Sequence, residues 1–254
     1  MFFDAKTYEE PTITAPNSAE FEFEIELESN LFKDGKKDIK LGIATFTKSY
    51  FIMLASDPQI FELSTEVDRW VDLGLPSGIL WAAYNVGATS PEEYGGYYAW
   101  GETEEKSSYT YETYHHKSNG GYKLINNISG TQYDVASKEW GDGARIPTYS
   151  ELAELQAKCT WKIDTYNNIK GVTGIGLNGN TIFIPFAGGM VETYLSSAGT
   201  LGCIWSDCLE SVEDPDDAYY LIFSLCDTHG LDIDISADDE REYGMTIRPV
   251  KNKI

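Results

Sequence analysis

Apolar and acidic residues alternate strictly near the start of the chain: Phe21, Phe23, Ile25 and Leu27 are separated by Glu22, Glu24, Glu26 and Glu28. Period two is the signature of a strand with one wet face. An Asp34-Gly35 turn flanked by lysines follows. Ile39, Leu41 and Ile43 resume the alternation as far as Phe46, and Tyr50 to Leu54 form a third apolar run closed by Asp57-Pro58. So few strands are marginal alone. Residues 1–66 are therefore expected to form a small β-rich attachment module that docks on the larger domain or on a partner, or oligomerises.

From Val67 the texture changes to short apolar pieces broken by Gly, Asn and Ser and dense in Tyr and Trp. One helix is well marked. Pro147 precedes Thr148-Tyr149-Ser150-Glu151, a capping box in which the Thr148 hydroxyl and the Glu151 carboxylate each satisfy an orphan N–H. Leu152 and Leu155 give this helix its apolar face, and it should end near Lys158. A shorter helix is expected from Asp134 to Trp140, and strands over 171–177, 181–185, 218–224 and 245–250. Asn178-Gly179 reads as a two-residue hairpin turn, since both residues tolerate positive φ.

Charge narrows the function classes. Among 254 residues, 41 are acidic and 19 basic, a formal charge of −22. That field repels nucleic acids and anionic membrane surfaces, so neither is expected as a partner. A hydrophobic share of 42% with 24% charged residues is ordinary for a folded globular chain. No apolar run is long enough to suggest membrane insertion. The opening Met-Phe-Phe-Asp-Ala-Lys lacks a basic region followed by an apolar core, so no secretory signal is expected at this start. The four cysteines form no C-x-x-C pair and leave the redox compartment open.

A run of ordered blocks then becomes recognisable. Val71-Asp72-Leu73-Gly74-Leu75-Pro76-Ser77-Gly78-Ile79-Leu80-Trp81-Ala82 is followed by Asn85-Val86-Gly87-Ala88, Pro91-Glu92-Glu93-Tyr94-Gly95 and Tyr98-Ala99-Trp100-Gly101-Glu102. Arg145-Ile146-Pro147-Thr148 with Glu151, Cys159-Thr160-Trp161, Asn178-Gly179-Asn180, Ile182-Phe183-Ile184-Pro185, Trp205-Ser206 and Arg248-Pro249-Val250 complete the series. The whole resembles the Fibrobacter succinogenes major paralogous domain family. That resemblance covers nearly all of residues 70–250 and leaves 1–66 outside.

The resemblance implies an α+β, C-type-lectin-like fold whose two ends lie close together, with a ligand face built from irregular loops near the C-terminal strands. It also implies a surface protein of a gut or rumen bacterium; in some relatives a diversity-generating retroelement rewrites the loop codons. Ala144 stands where the family usually has an aromatic residue. Cys203 and Cys208 replace the usual Tyr or Ser around Ile204-Trp205-Ser206-Asp207, and Leu225 to Asp232 departs from an Asn- and Ser-rich version. A diversified face and drift at exposed positions both account for these departures.

Other chemistry is weaker. Gly174-Ile175-Gly176-Leu177-Asn178-Gly179 matches G-x-G-x-x-G, but a strand follows where a dinucleotide site needs a helix. Asp232, Asp234, Ser236 and Asp238 carry EF-hand spacing, yet Ala237 replaces the turn glycine and Tyr243 the bidentate glutamate. Alternation with Ile233 and Ile235 instead puts Asp232 and Asp234 on the wet face of a strand. The runs Glu213, Asp214, Asp216, Asp217 and Asp238, Asp239, Glu240 read as solvated acidic loops, with a loose calcium site as the alternative. His115 and His116 sit in a Tyr-rich surface loop without metal-ligand spacing. Five tryptophans (Trp81, Trp100, Trp140, Trp161, Trp205) read as core, and Arg145 as a buried structural cation paired with a carboxylate.

The reading drawn from the sequence is a non-enzymatic display protein, a surface adhesin or phage receptor-binding protein, located at a cell surface or virion. It needs no cofactor or metal, and its partner is a protein or glycan on another surface. Loops between Met190 and Glu242 are the expected face. Tyr194, Leu195, Cys203, Ile204, Asp207, Cys208, Leu209, Leu225, Asp227, His229, Asp232 and Asp234 are its candidate ligand-binding residues, since aromatic and charged anchors dominate such interfaces. Two alternatives stay open. Cys203 and Cys208 have the spacing of the cysteine pair in formylglycine-generating enzymes, copper-dependent cysteine oxidases of similar fold, and two thiolates in reach of each other bind soft metals. The other is a structural subunit of a surface or virion assembly.

Overall fold

The computed structural model describes residues 37–41, 50–54 and 69–253, apart from 119, 214, 227 and 229. The chain divides into two units, Met1–Glu66 and Val67–Ile254. In the first, β1 (Lys37–Leu41) and β2 (Tyr50–Leu54) pair antiparallel, from Lys37 opposite Leu54 to Leu41 opposite Tyr50. The alternating segment Phe21–Glu28, the Asp34-Gly35 turn and the Asp57-Pro58 stop lie outside the described residues.

The second unit opens with β3 (Trp70–Asp72) and β4 (Ile79–Ala82). A long irregular stretch carries one 3-10 turn (Tyr111–Thr113) and the short hairpin β5 (Lys117–Ser118) and β6 (Gly121–Tyr122). Two helices follow, α1 (Val135–Trp140) and α2 (Tyr149–Lys158). Next come β7 (Thr160–Tyr166), β8 (Ile169–Ile175) and β9 (Thr181–Pro185), then β10 (Gly189–Val191) and β11 (Tyr194–Ser196). The chain closes with β12 (Leu201–Leu209), β13 (Asp217–Cys226), β14 (Gly230–Glu240) and β15 (Val250–Asn252). The unit is α+β and mostly strand. Its three-stranded sheets run β15-β4-β3, β7-β8-β9 and β12-β13-β14. The first and last strands thus flank β4, which brings the two ends of the unit together.

Both helices start where their caps require. Asp134 Oδ1 accepts from the N–H groups of Ala136 (2.9 Å) and Ser137 (3.2 Å), and Oδ2 accepts from Gly130 N–H (2.8 Å) and Ile146 N–H (2.9 Å). One buried carboxylate therefore starts α1 and fixes the loops on both sides of it. At α2 the expected box forms: Thr148 Oγ1 accepts Glu151 N–H at 3.2 Å, and Glu151 Oε2 accepts Thr148 N–H at 2.9 Å. Arg145 grips the same Glu151 carboxylate with both terminal nitrogens, at 2.7 and 2.6 Å. A bidentate fork of this kind is among the stronger charge-assisted contacts.

The β8–β9 connection differs from the expected two-residue turn. Ile175 pairs with Thr181, and Gly179 N–H bonds to Gly176 O at 3.0 Å, so Leu177 and Asn178 are the central residues. Gly179 alone has positive φ, at +86°. This is a turn with a glycine bulge. Asn178 stays central but Gly179 does not, and the Asn178 amide, with that of Asn180, donates to Asp72 O at 2.8 and 2.7 Å. The expected 245–250 strand is also broken up: Met245 and Thr246 form single bridges to Tyr98 and Ile204, and only Val250 enters β15.

Two apolar clusters share β12. Ile204 packs with Trp81, Leu152, Leu155, Phe186, Leu221 and Phe223; Cys203, Trp205 and Leu209 pack with Trp100, Ile128, Ile146 and Met245. Trp81, Trp100 and Trp205 are buried as expected, while Trp140 and Trp161 are partly exposed. Between the sheets lies Arg248, fully buried, whose guanidinium donates to Asn85 Oδ1 (2.8 Å), Ala82 O (3.1 Å) and Phe183 O (3.1 Å). Burial pulls its pKa down to about 9, so it stays charged at neutral pH. Replacing it by Met should cost about 3 kcal/mol or more, because three acceptors lose their donors at once. Arg248→Lys should also destabilise, since one ammonium cannot match a planar fork. Urea unfolding measures both; a loss below about 1 kcal/mol in either would show that the acceptors find other donors.

Candidate functional site

The face expected to carry ligand contacts is organised around the β10–β11 hairpin, which is mounted through backbone groups. Met190 and Gly244 exchange both N–H···O bonds, at 2.7 and 2.9 Å, and Tyr109 and Glu192 do the same at 2.6 and 3.1 Å. Gly188 N–H adds a bond to Leu201 O at 2.7 Å. Gly244 is needed for this close approach: a Cβ there would stand 2.5 Å from the buried Tyr109 ring. At the tip, Tyr194 and Leu195 are 55% and 42% exposed. Large apolar side chains presented so openly on a fixed hairpin suit a contact surface.

Beneath the hairpin is a cavity of about 100 Å³ lined by Met190, Leu201, Cys203, Tyr220, Asp239 and Tyr243. Its walls are apolar apart from hydroxyls and the Asp239 carboxyl. Desolvation raises the pKa of Asp239, helped by its contact with Glu240. Asp217, opposite Glu240 across β13 and β14, is pushed up to about 6 by desolvation and by the charges of Asp216, Glu240, Asp238 and Glu210. The result is a small recess with one partly buried carboxyl, that of Asp239, under an exposed hairpin.

The other candidate residues are distributed differently from the expectation of irregular loops. Cys203, Ile204, Asp207 and Leu209 are buried in β12. They are corrected here to scaffold, because β12 is covered on both faces and its outer edge bridges to Gly188 and Thr246. Asp207 Oδ1 accepts Tyr149 N–H at 3.2 Å, and its backbone carbonyl accepts Ile128 N–H at 2.9 Å, so it serves the start of α2. Cys208 is half-buried with its sulfur 3.8 Å from Ser206 Oγ. Leu225 is partly buried against the first apolar cluster. Asp232 and Asp234 stand exposed on β14 while Ile233 and Ile235 turn inward, as their alternation predicts. Asp227 and His229, together with Asp214 of the acidic run, lie outside the described residues.

Burial raises the thiol pKa of Cys203 to about 12 and also raises that of Cys208. Both stay protonated at neutral pH as they stand, and neither makes a disulfide. Among the described residues, no three His, Cys, Asp or Glu side chains converge as metal ligands do. No helix of the described residues is long and apolar enough to cross a membrane.

Compared with protein-family models, with curated proteins and with solved structures, the chain gives no match. The site therefore rests on its own geometry. Sequence reasoning missed Met190, Tyr220 and Tyr243 as site residues, and it read Asp239, half-buried in β14, as part of a solvated acidic loop with a loose calcium site as the alternative. No periodic signal pointed to Asp239: a bulge between the pairs Ile222–Asp234 and Tyr220–Ala237 breaks the inward period of Leu231, Ile233 and Ile235, and Asp239 falls opposite Ala218 of the second apolar cluster.

The raised carboxyls predict a pH dependence. In the unfolded chain an aspartate titrates near 4. At pH values between that and their folded pKa, Asp217 and Asp239 keep protons that the unfolded state has lost. With Asp217 at about 6 and Asp239 at about 7, stability should therefore decline as pH rises from about 4 through about 7 and level off above. Thermal melts should show a higher Tm at about pH 5 than at about pH 8. Asp239→Asn should raise the Tm at the higher pH and flatten the profile; an unchanged slope in that variant would assign the effect to other groups.

Proposed function

We propose that Val67–Ile254 is a non-enzymatic, C-type-lectin-like ligand-binding module of the kind the Fibrobacter succinogenes major paralogous domain resemblance implies, with the N-terminal unit serving for attachment. The protein acts as a surface adhesin or phage receptor-binding protein, at a cell surface or on a virion, and engages a protein or glycan on another surface. The observation that carries this reading is the exposed Tyr194–Leu195 pair on a hairpin fixed by reciprocal backbone hydrogen bonds. Ordered apolar anchors lose little conformational freedom when a partner arrives, so their contact area converts efficiently into affinity.

Two further features support it. The first and last strands of the unit both pair with β4, which is in keeping with the close ends that the resemblance implies. The exposed carboxylates of Asp232 and Asp234 border the same region of sheet and suit the polar rim of an interface. Diversification of the tip residues by a retroelement belongs to the same proposal, and the gene's codons there would test it.

The full chain, labelled and applied to a glycan array and a protein array, is expected to give discrete hits. The double variant Tyr194→Ala/Leu195→Ala should lose about tenfold or more of that affinity, as two interface anchors do when truncated. Its Tm should stay within about 2 °C of the parent, since neither side chain is buried. Equal binding by parent and variant would remove the hairpin from the site.

A further inference from the structure

Away from the hairpin lies an open cleft of about 360 Å³ between the 101–104 turn, the 115–116 turn and the approach to α1. Nothing in the display reading uses it. Its volume falls within the range of small-molecule sites.

The cleft is held from below. Gly101, with φ at +76°, presents its carbonyl to His116 Nε2 at 2.8 Å. Burial lowers the pKa of His116, which favours the neutral ring with Nε2–H as donor. Glu102, almost entirely buried, accepts His115 N–H at 2.7 Å and holds Lys106 at 3.0 Å. On one wall stands Tyr133. The His116 ring meets its ring edge-on at 5.0 Å, and Lys123 Nζ donates to its hydroxyl at 3.2 Å. Glu104, Gln132 and His115 complete the rim as exposed hydrogen-bonding groups.

Charge decides the ligand class. In a chain of net charge −22, both carboxylates of this cleft have a lysine of their own: Glu102 with Lys106 at 3.0 Å and Glu104 with Lys138 at 3.2 Å. A cationic ligand would have to displace those lysines. An anionic one would have to draw those same lysines off their carboxylates. What remains is an uncharged ligand that donates and accepts hydrogen bonds at several points and offers an apolar face to an aromatic ring. Sugar rings have this character, with hydroxyls around the edge and C–H groups on the faces. We propose that this cleft binds one pyranose residue of a glycan, with Tyr133 as the platform and Gln132, His115 and Glu104 as the hydrogen-bonding rim.

The test is an NMR titration of the full, isotope-labelled chain with glucose, galactose, mannose and N-acetylglucosamine, using choline as the cationic probe and inorganic phosphate as the anionic one. At least one sugar should produce saturable shifts at the amides of Gly101, Thr103, His115 and Gln132. Tyr133→Ala should weaken binding about tenfold, the scale of one lost contact of about 1.4 kcal/mol. Tyr133→Phe should retain binding, because the ring is kept. Gln132→Ala changes an exposed side chain and should weaken binding in a folded protein, so it decides the matter if Tyr133→Ala unfolds. The hairpin variant Tyr194→Ala/Leu195→Ala should bind the sugar like the parent, which separates this site from the display face. Saturation by choline or phosphate in place of a sugar would overturn the ligand class. Absence of shifts with all four sugars, or shifts untouched by both Tyr133→Ala and Gln132→Ala, would overturn the site.

Discussion

The unit from Val67 onward depends on a cation buried without a carboxylate partner. Arg248 donates to oxygens of Ala82 in β4, of Asn85 just after it and of Phe183 in β9, so three segments distant in sequence, 82–85, β9 and the one that carries Arg248, meet at one planar group. Asn85 extends the network by donating to Tyr94 O at 2.8 Å, and Ala82 N–H returns a bond to Pro249 O at 2.8 Å. A buried charge is tolerated when its donors are satisfied, and guanidinium suits this because its donors lie in a fixed plane. A second buried guanidinium is met in part by carbonyls and in part by aromatic rings. Arg241 lies 4.8 Å from the Trp100 ring and bonds to Tyr114 Oη and Pro215 O. Backbone carbonyls and aromatic faces thus solvate two cations inside a strongly acidic protein.

These anchors explain why the C-terminal region is more regular than its composition suggests. With Arg248 holding the C-terminal segment against β4 and β9, the neighbouring β12 is pressed between two apolar clusters. Its side chains then have no solvent face. Exposed chemistry is displaced to the β10–β11 hairpin and to the outward residues of β14, and the recess around Asp239 forms where the hairpin crosses the sheet.

Local signals in the sequence reported local structure well. The capping box at Thr148 and Glu151, the Asp134 cap and the Asp232–Ile235 alternation all depend on neighbours within a few residues, and each element formed. The α+β class was what the family resemblance implied, not something these local signals gave. What was hidden depends on contacts between distant segments. Leu201-Gly202-Cys203-Ile204-Trp205 reads as a loop with unusual residues until both apolar clusters are in place, because a strand buried on two faces shows no alternation. The turn shifts by one residue, to centre on Leu177 and Asn178, where the Asn178 amide meets the carbonyl of Asp72, far away in sequence. Similarly, the cleft at Tyr133 joins a histidine loop to a helix approach, and no spacing in the sequence links the two.

The hairpin has one further consequence, for how this protein can change. Its mountings at Met190–Gly244 and Glu192–Tyr109 are exchanges between main-chain amides, which every residue except proline can make. The frame is therefore indifferent to what is carried at Thr193, Tyr194 and Leu195, while Gly244 and Tyr109 beneath it are tightly constrained. Variation and invariance are assigned to adjoining layers a few ångströms apart. A lineage can rewrite the outer layer repeatedly, testing new contacts at the tip, without having to solve the folding problem again.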